Sequence, residues 1–150
     1  MPNKINELFD KYDDKKQNLG YVSEQIKAGN YTFLPDEIAN GIVLKIQYEG
    51  NLEKDGYEIG FLVLNQNAEI KEHIHTNDIE KYTILKGNLS VNNKEVNENI
   101  CLINQKHNID KVKEITVIKT LKINKESLIP SIAKLKQKQK KFCLINYFVL

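Results

Sequence analysis

Two of the chain's three histidines stand together as His73-Ile74-His75, with Glu80 and Gly87 behind them. Side chains at i and i+2 of a strand point to the same face, so His73 and His75 on a strand converge on one point. Thr76-Asn77-Asp78 has turn chemistry. A reversal there brings Glu80, on the following strand, back beside the two imidazoles as a hairpin. Two imidazoles and a carboxylate suit a borderline divalent ion. The remaining histidine, His107, lies far enough along to return on a later strand as a fourth ligand.

The spacing His-x-His, four residues, Glu, six residues, Gly resembles the first signature of the cupin superfamily, small β-barrels that hold one metal ion. The resemblance covers about residues 57–123. Where the family usually has Gly six residues before the first His, this chain has Asn67, which also tolerates left-handed backbone. The second signature matches poorly. Pro and Gly normally precede the third His, and this chain reads Ile100-Cys101-Leu102-Ile103-Asn104-Gln105-Lys106-His107. The Asn that often follows is replaced by Lys111, and the stretch from Glu80 to His107 is shorter than usual. The resemblance implies a mainly β fold: a cupin-like antiparallel barrel of jelly-roll type, with short N-terminal and C-terminal helices. It implies one divalent metal, Fe, Mn, Ni, Zn or Cu, on His73, His75, Glu80 and His107. All of these metals accept three nitrogens and one oxygen.

Nearly balanced charge, 22 Lys+Arg against 20 Asp+Glu, gives no global drive toward nucleic acid. Cys101 and Cys143 do not make a disulfide framework. The N-terminal stretch has no apolar core of a signal peptide, and no apolar run reaches membrane-spanning length. The expectation is a cytoplasmic protein with no membrane or nucleic-acid partner.

The elements that must position the site follow from periodicity. Ile5, Leu8, Phe9 and Tyr12 have helical spacing, and Val22 to Lys27 reads as another helical turn ending at Gly29. Tyr31 to Leu34 reads extended before Pro35. Strands are expected at 42–48, at 57–64 (apolar enough to be buried on both sides), at 70–76 and at 80–86. A hairpin follows around Asn92-Asn93, then a strand at 100–103 leading to His107. Over 113–123 the apolar phase is Ile115, Val117, Leu121 and Ile123. Residues 1–40 form an extension, 41–124 the barrel, and 125–150 a helix with a Lys-rich face followed by an apolar tail. That tail must pack on its own barrel or on a second subunit, and the family resemblance points to a homodimer.

Glu80 shares a strand face with Tyr82 and Ile84, so Tyr82 is a candidate proton donor or orienting group; its alternative role is a core aromatic with a satisfied hydroxyl. Cys101 reads as a core thiol. Lys86 and Lys106 are candidates to greet an anion or plain solvent lysines, and Glu72 points away from the His73 face. The expected function is a metal-dependent enzyme acting on a small polar or anionic metabolite, of dioxygenase, isomerase, lyase or decarboxylase type. A non-catalytic small-molecule-binding cupin is the alternative, and a metal-free structural barrel the third reading.

Overall fold

The computed structural model describes residues 14–74, 78–103 and 106–124, except the side chains of Cys101 and Ile103. The expected helix at 5–12, the Lys-rich helix at 128–141 and the apolar tail at 142–150 lie outside the described residues, as does Cys143.

Helix α1 (Lys15–Ala28) is fixed at both ends. The Asp14 carboxylate accepts from the backbone N–H of Lys16 at 3.0 Å and of Gln17 at 3.1 Å, two donors that the first turn cannot otherwise satisfy. Gly29 closes the helix in the left-handed conformation. Its N–H bonds Ile26 O, and that of Asn30 bonds Gln25 O, a Schellman pair. The helical turn read from Val22 to Gly29 is thus the last half of a longer helix that begins at the Asp14 cap.

From there the chain is β, apart from one helical turn, α2 (Leu52–Asp55). The strands are β1 (Thr32–Phe33), β2 (Ala39–Asn40), β3 (Val43–Glu49), β4 (Tyr57–Leu64), β5 (Glu69–His73), β6 (Asp78–Lys86), β7 (Leu89–Val91), β8 (Lys94–Val96), β9 (Asn99–Ile103), β10 (His107–Ile109) and β11 (Thr116–Asn124). They form two antiparallel sheets, ordered β1-β3-β4-β11-β6-β9 and β2-β5-β10-β7-β8. The sheets do not close into one hydrogen-bonded barrel. They face each other as a jelly roll.

The main core lies between the sheets. Val43, Leu64, Tyr82 and Ile118 of the six-stranded sheet meet Ile70, Val91 and Ile109 of the five-stranded one. A second cluster covers the outer face of the six-stranded sheet, where Val22 of α1 packs on Ile46, Phe61, Val63 and Val117. Tyr21 joins it, its ring centroid 4.7 Å from that of Tyr48 and its hydroxyl donating to Gln47 O at 2.9 Å. With α1 on one side and the second sheet on the other, β4 is covered on both faces. That is the physical reason for its continuous apolar run.

Three turns match their residues. Asn67 has φ 70°, as its left-handed tolerance suggested. Asn92 and Asn93 both have positive φ between β7 and β8, the requirement of a tight two-residue hairpin. Gly87 has φ 85°, and a Cβ there would stand 2.5 Å from Thr116 Oγ1 and 2.7 Å from Ile115 O. The signature glycine is needed because β11 begins against its backbone.

Two expectations need correction. β5 and β6 are not a hydrogen-bonded hairpin: β5 lies in the five-stranded sheet and β6 in the six-stranded one. The chain between them crosses from one sheet to the other, so histidine and glutamate meet across the interior rather than along a ladder. In the last strand, Ile115 is exposed at 47 % and precedes β11, whereas Ile118 is fully buried. A register irregularity between Val117 and Ile118 breaks the simple alternation that placed Ile115 inside.

Candidate metal site and cavity

His73 ends β5 and His107 begins β10, and the two are direct cross-strand partners. Their ring centroids are 4.2 Å apart, edge to face. The His73 Nδ1 lies 2.8 Å from Lys71 O. A carbonyl only accepts, so Nδ1 donates; in the neutral ring this leaves the lone pair on Nε2, where it can ligate a metal.

Glu80 arrives from the opposite sheet. Its Oε1 is 3.2 Å from His107 Nε2, and both side chains are almost fully buried. Ligand atoms of His73, Glu80 and His107 all lie within 4.8 Å of one another. A buried carboxylate facing two imidazoles is costly without a cation or a full set of hydrogen bonds. The donor set, two imidazole nitrogens and one carboxylate oxygen, fits a borderline divalent ion.

Tyr82, two residues along β6, belongs to the same cluster. Its hydroxyl donates to Glu80 Oε1 at 2.8 Å and lies 3.2 Å from His107 Nε2. Burial raises the Tyr82 hydroxyl well above its ordinary value of 10.0, and the charge and hydrogen bond of Glu80 add to this, with Asp78 behind them. The phenol is therefore neutral and a donor at physiological pH.

Beside the cluster a cavity of about 270 Å³ opens along the inner face of the six-stranded sheet. His73, Glu80 and Tyr82 line one part of it, and Leu34, Ile38, Leu62 and Ile70 supply apolar wall. Lys45, Gln47, Glu58, Thr120 and Lys122 line it too. Lys122 Nζ stands 3.9 Å from Glu80 Oε2.

The structure thus brings together His73, Glu80, His107 and Tyr82. His75 lies outside the described residues, as does the side chain of Cys101. Lys86, Lys106 and Glu72 are exposed, and neither lysine lines the cavity. Lys45 and Lys122 do, and sequence reasoning missed both. Strand alternation over 113–123 singles out the apolar phase and by itself gives the polar residues of β11 no place in a cavity. A strand covered on both faces breaks that rule, and Thr120 and Lys122 point inward beside Ile118.

No protein-family model and no curated protein matches the sequence. Solved structures do match. An acetylacetone dioxygenase from Acinetobacter johnsonii superposes with a TM-score of 0.55 at 12% identity, over 63% of this chain and 68% of that one. A Thermotoga maritima protein described as a predicted oxalate decarboxylase gives 0.55 at 15% identity, over 63% and 92%. A cupin-like protein from Thermotoga maritima gives 0.53 at 10% identity, over 65% and 79%. This chain has the cupin fold. Identities this low speak to the fold alone, and the residues of the site must carry the chemistry.

Among the described residues of this cupin-fold chain, no helix is long and apolar enough to cross a membrane.

Proposed function

We propose that the chain is a metal-dependent cupin enzyme acting on a small polar or anionic metabolite. His73, Glu80 and His107, joined by His75, hold one divalent ion. The observation that carries this reading is the convergence of half-buried His73 with buried Glu80 and His107 within 4.8 Å, with His73 and Glu80 also lining a cavity. An ion bound there supplies a Lewis acid, or a site for dioxygen, depending on its identity. The chain's own residues do the rest. The Lys71 carbonyl holds His73 in the ligating tautomer, and Tyr82 keeps a proton at its hydroxyl beside the carboxylate. The apolar walls exclude bulk water and so strengthen the electrostatics of the site. The similar structures named for an acetylacetone dioxygenase and for a predicted oxalate decarboxylase are consistent with dioxygenase or decarboxylase chemistry; isomerase and lyase chemistry need the same parts.

The test is turnover by tag-free protein loaded with Fe, Mn, Ni, Zn or Cu and offered a panel of small carboxylic and sugar acids. Oxygen uptake or product formation that His107→Ala abolishes supports the enzyme. A second reading, a non-catalytic small-molecule-binding cupin, is favoured by one observation: the Tyr82 proton is already committed to Glu80. Tight ligand binding without turnover under every metal decides for it.

The same proposal takes the protein as a cytoplasmic homodimer paired through sheet edges. Phe33, on the edge strand β1, is 61 % exposed, and nearby Ile42 is 52 % exposed. Sedimentation of the intact chain as a monomer at micromolar concentration contradicts the dimer.

A further inference from the structure

Three strands of the six-stranded sheet place Glu58, Lys122 and Glu80 side by side in one row, Lys122 in the middle. Lys122 Nζ is 3.9 Å from Glu80 Oε2, beyond hydrogen-bonding distance. The Lys122 side chain keeps 24 % of its surface open, against 4 % for Glu80. Its ammonium therefore neutralises Glu80 at long range while still facing the cavity that both residues line.

The four charged side chains of the cavity that carry a fixed sign are Lys45, Lys122, Glu58 and Glu80. They balance. A divalent cation on Glu80 breaks that balance and leaves the cavity positive, with Glu58 the carboxylate that still stands beside Lys122 in the row. Gln47 and Thr120 add neutral polar groups, and Leu34, Ile38, Leu62 and Ile70 supply apolar wall. At about 30 Å³ per water-sized unit, the cavity holds a molecule of roughly ten non-hydrogen atoms.

We propose that Lys122 is the anion-recognising residue of this cavity, and that its ligand is a small carboxylic acid with an apolar body. This rests on the metal reading above and narrows it. Lys122 faces Glu80 when no cation is bound. It turns to the ligand carboxylate once the cation takes over Glu80. Two opposite effects follow from one side chain: Lys122 competes with the metal for Glu80 and assists the acid. Metal and acid binding are then positively coupled, and each raises the affinity for the other by the same factor.

Cobalt(II) and hexanoate serve as probes on the full-length, tag-free protein, with cobalt followed by its visible absorption and hexanoate by calorimetry. Lys122→Met is expected to bind cobalt at least as tightly as the unmodified chain. The cobalt-loaded variant is expected to bind hexanoate tenfold or more weakly, since the carboxylate loses a charge-assisted hydrogen bond. Lys122→Arg keeps hexanoate binding, and the unmodified protein prefers hexanoate to hexan-1-ol and hexylamine. Lys122→Gln carries the same expectations as Lys122→Met should the latter not fold. If both affinities fall together, Lys122 is only structural and the proposal is overturned. Cobalt uptake with unchanged hexanoate affinity, or with no hexanoate binding at all, overturns it too and leaves the metal reading standing. No cobalt uptake by the unmodified chain removes the metal reading, and this proposal with it.

Discussion

His73 and His107 stand directly opposite each other on β5 and β10, their ring centroids 4.2 Å apart. The two residues are distant in sequence, and the second arrives without the Pro and Gly that usually announce it. Register alone puts them together. A slip of one residue in this pair would turn His107 to the opposite face and away from Glu80. The register irregularity that follows His107 lets the strand keep this pairing while Ile109 meets Ile70 in the core.

Gly87→Ala is expected to destabilise the fold by more than about 1 kcal/mol, because the left-handed backbone and the new Cβ both oppose it. The clash is with Thr116 Oγ1 and Ile115 O, and Thr116 also donates to Asn88 O at 3.0 Å. Urea unfolding should show a lower midpoint with an unchanged slope. An unchanged midpoint contradicts the tight approach of β11.

Tyr82→Phe removes the hydroxyl that donates to Glu80. The expected cost near neutral pH is about 1–3 kcal/mol, the range for leaving a buried acceptor short of a partner. The pH dependence has a definite sign. Tyr82 is raised in the folded state above its unfolded value near 10. Its contribution is therefore complete below about pH 10 and is lost as pH rises toward the higher folded value. The stability gap between the unmodified chain and Tyr82→Phe should narrow between pH 8 and pH 11. A gap that stays constant in urea melts at the two values contradicts the buried, neutral phenol.

Val22→Ala separates the outer cluster from the site. Val22 is 3 % exposed where α1 packs on the sheet, and losing two buried methyl-sized groups costs about 2 kcal/mol. Thermal unfolding should shift down while metal stoichiometry stays the same, since the cluster around Val22 contains none of His73, Glu80 and His107. Loss of metal by this variant contradicts that division of labour.

The sequence made His73, Glu80 and Gly87 legible because their spacing is local, spanning one crossing between strands. Asn67, Gly29 and the Asn92-Asn93 turn were legible because their backbone demands are carried by the residue itself. Tyr82 followed from strand parity with Glu80. The arrangement of strands in two sheets was not legible. Parity says which residues share a face but not which strand lies opposite, so β5 and β6 read as a hairpin. Lys122 and Thr120 were hidden for a related reason. Polar residues in an alternating strand are assigned to water, and nothing local reveals that both faces of β11 are covered. Leu34 and Ile38, from the stretch before the main strands, became cavity wall only through long-range packing.

The most direct test of the account is the metal content of tag-free protein, measured by elemental analysis, for the unmodified chain and for His73→Ala, Glu80→Ala and His107→Ala. The account predicts one divalent ion per chain in the unmodified protein and a large loss in each variant, His107→Ala included. His75→Ala reports separately on the fourth ligand. Stoichiometric metal retained by both His73→Ala and His107→Ala contradicts the site. Retention by His107→Ala alone removes His107 from the ligand set and leaves its pairing with His73 structural.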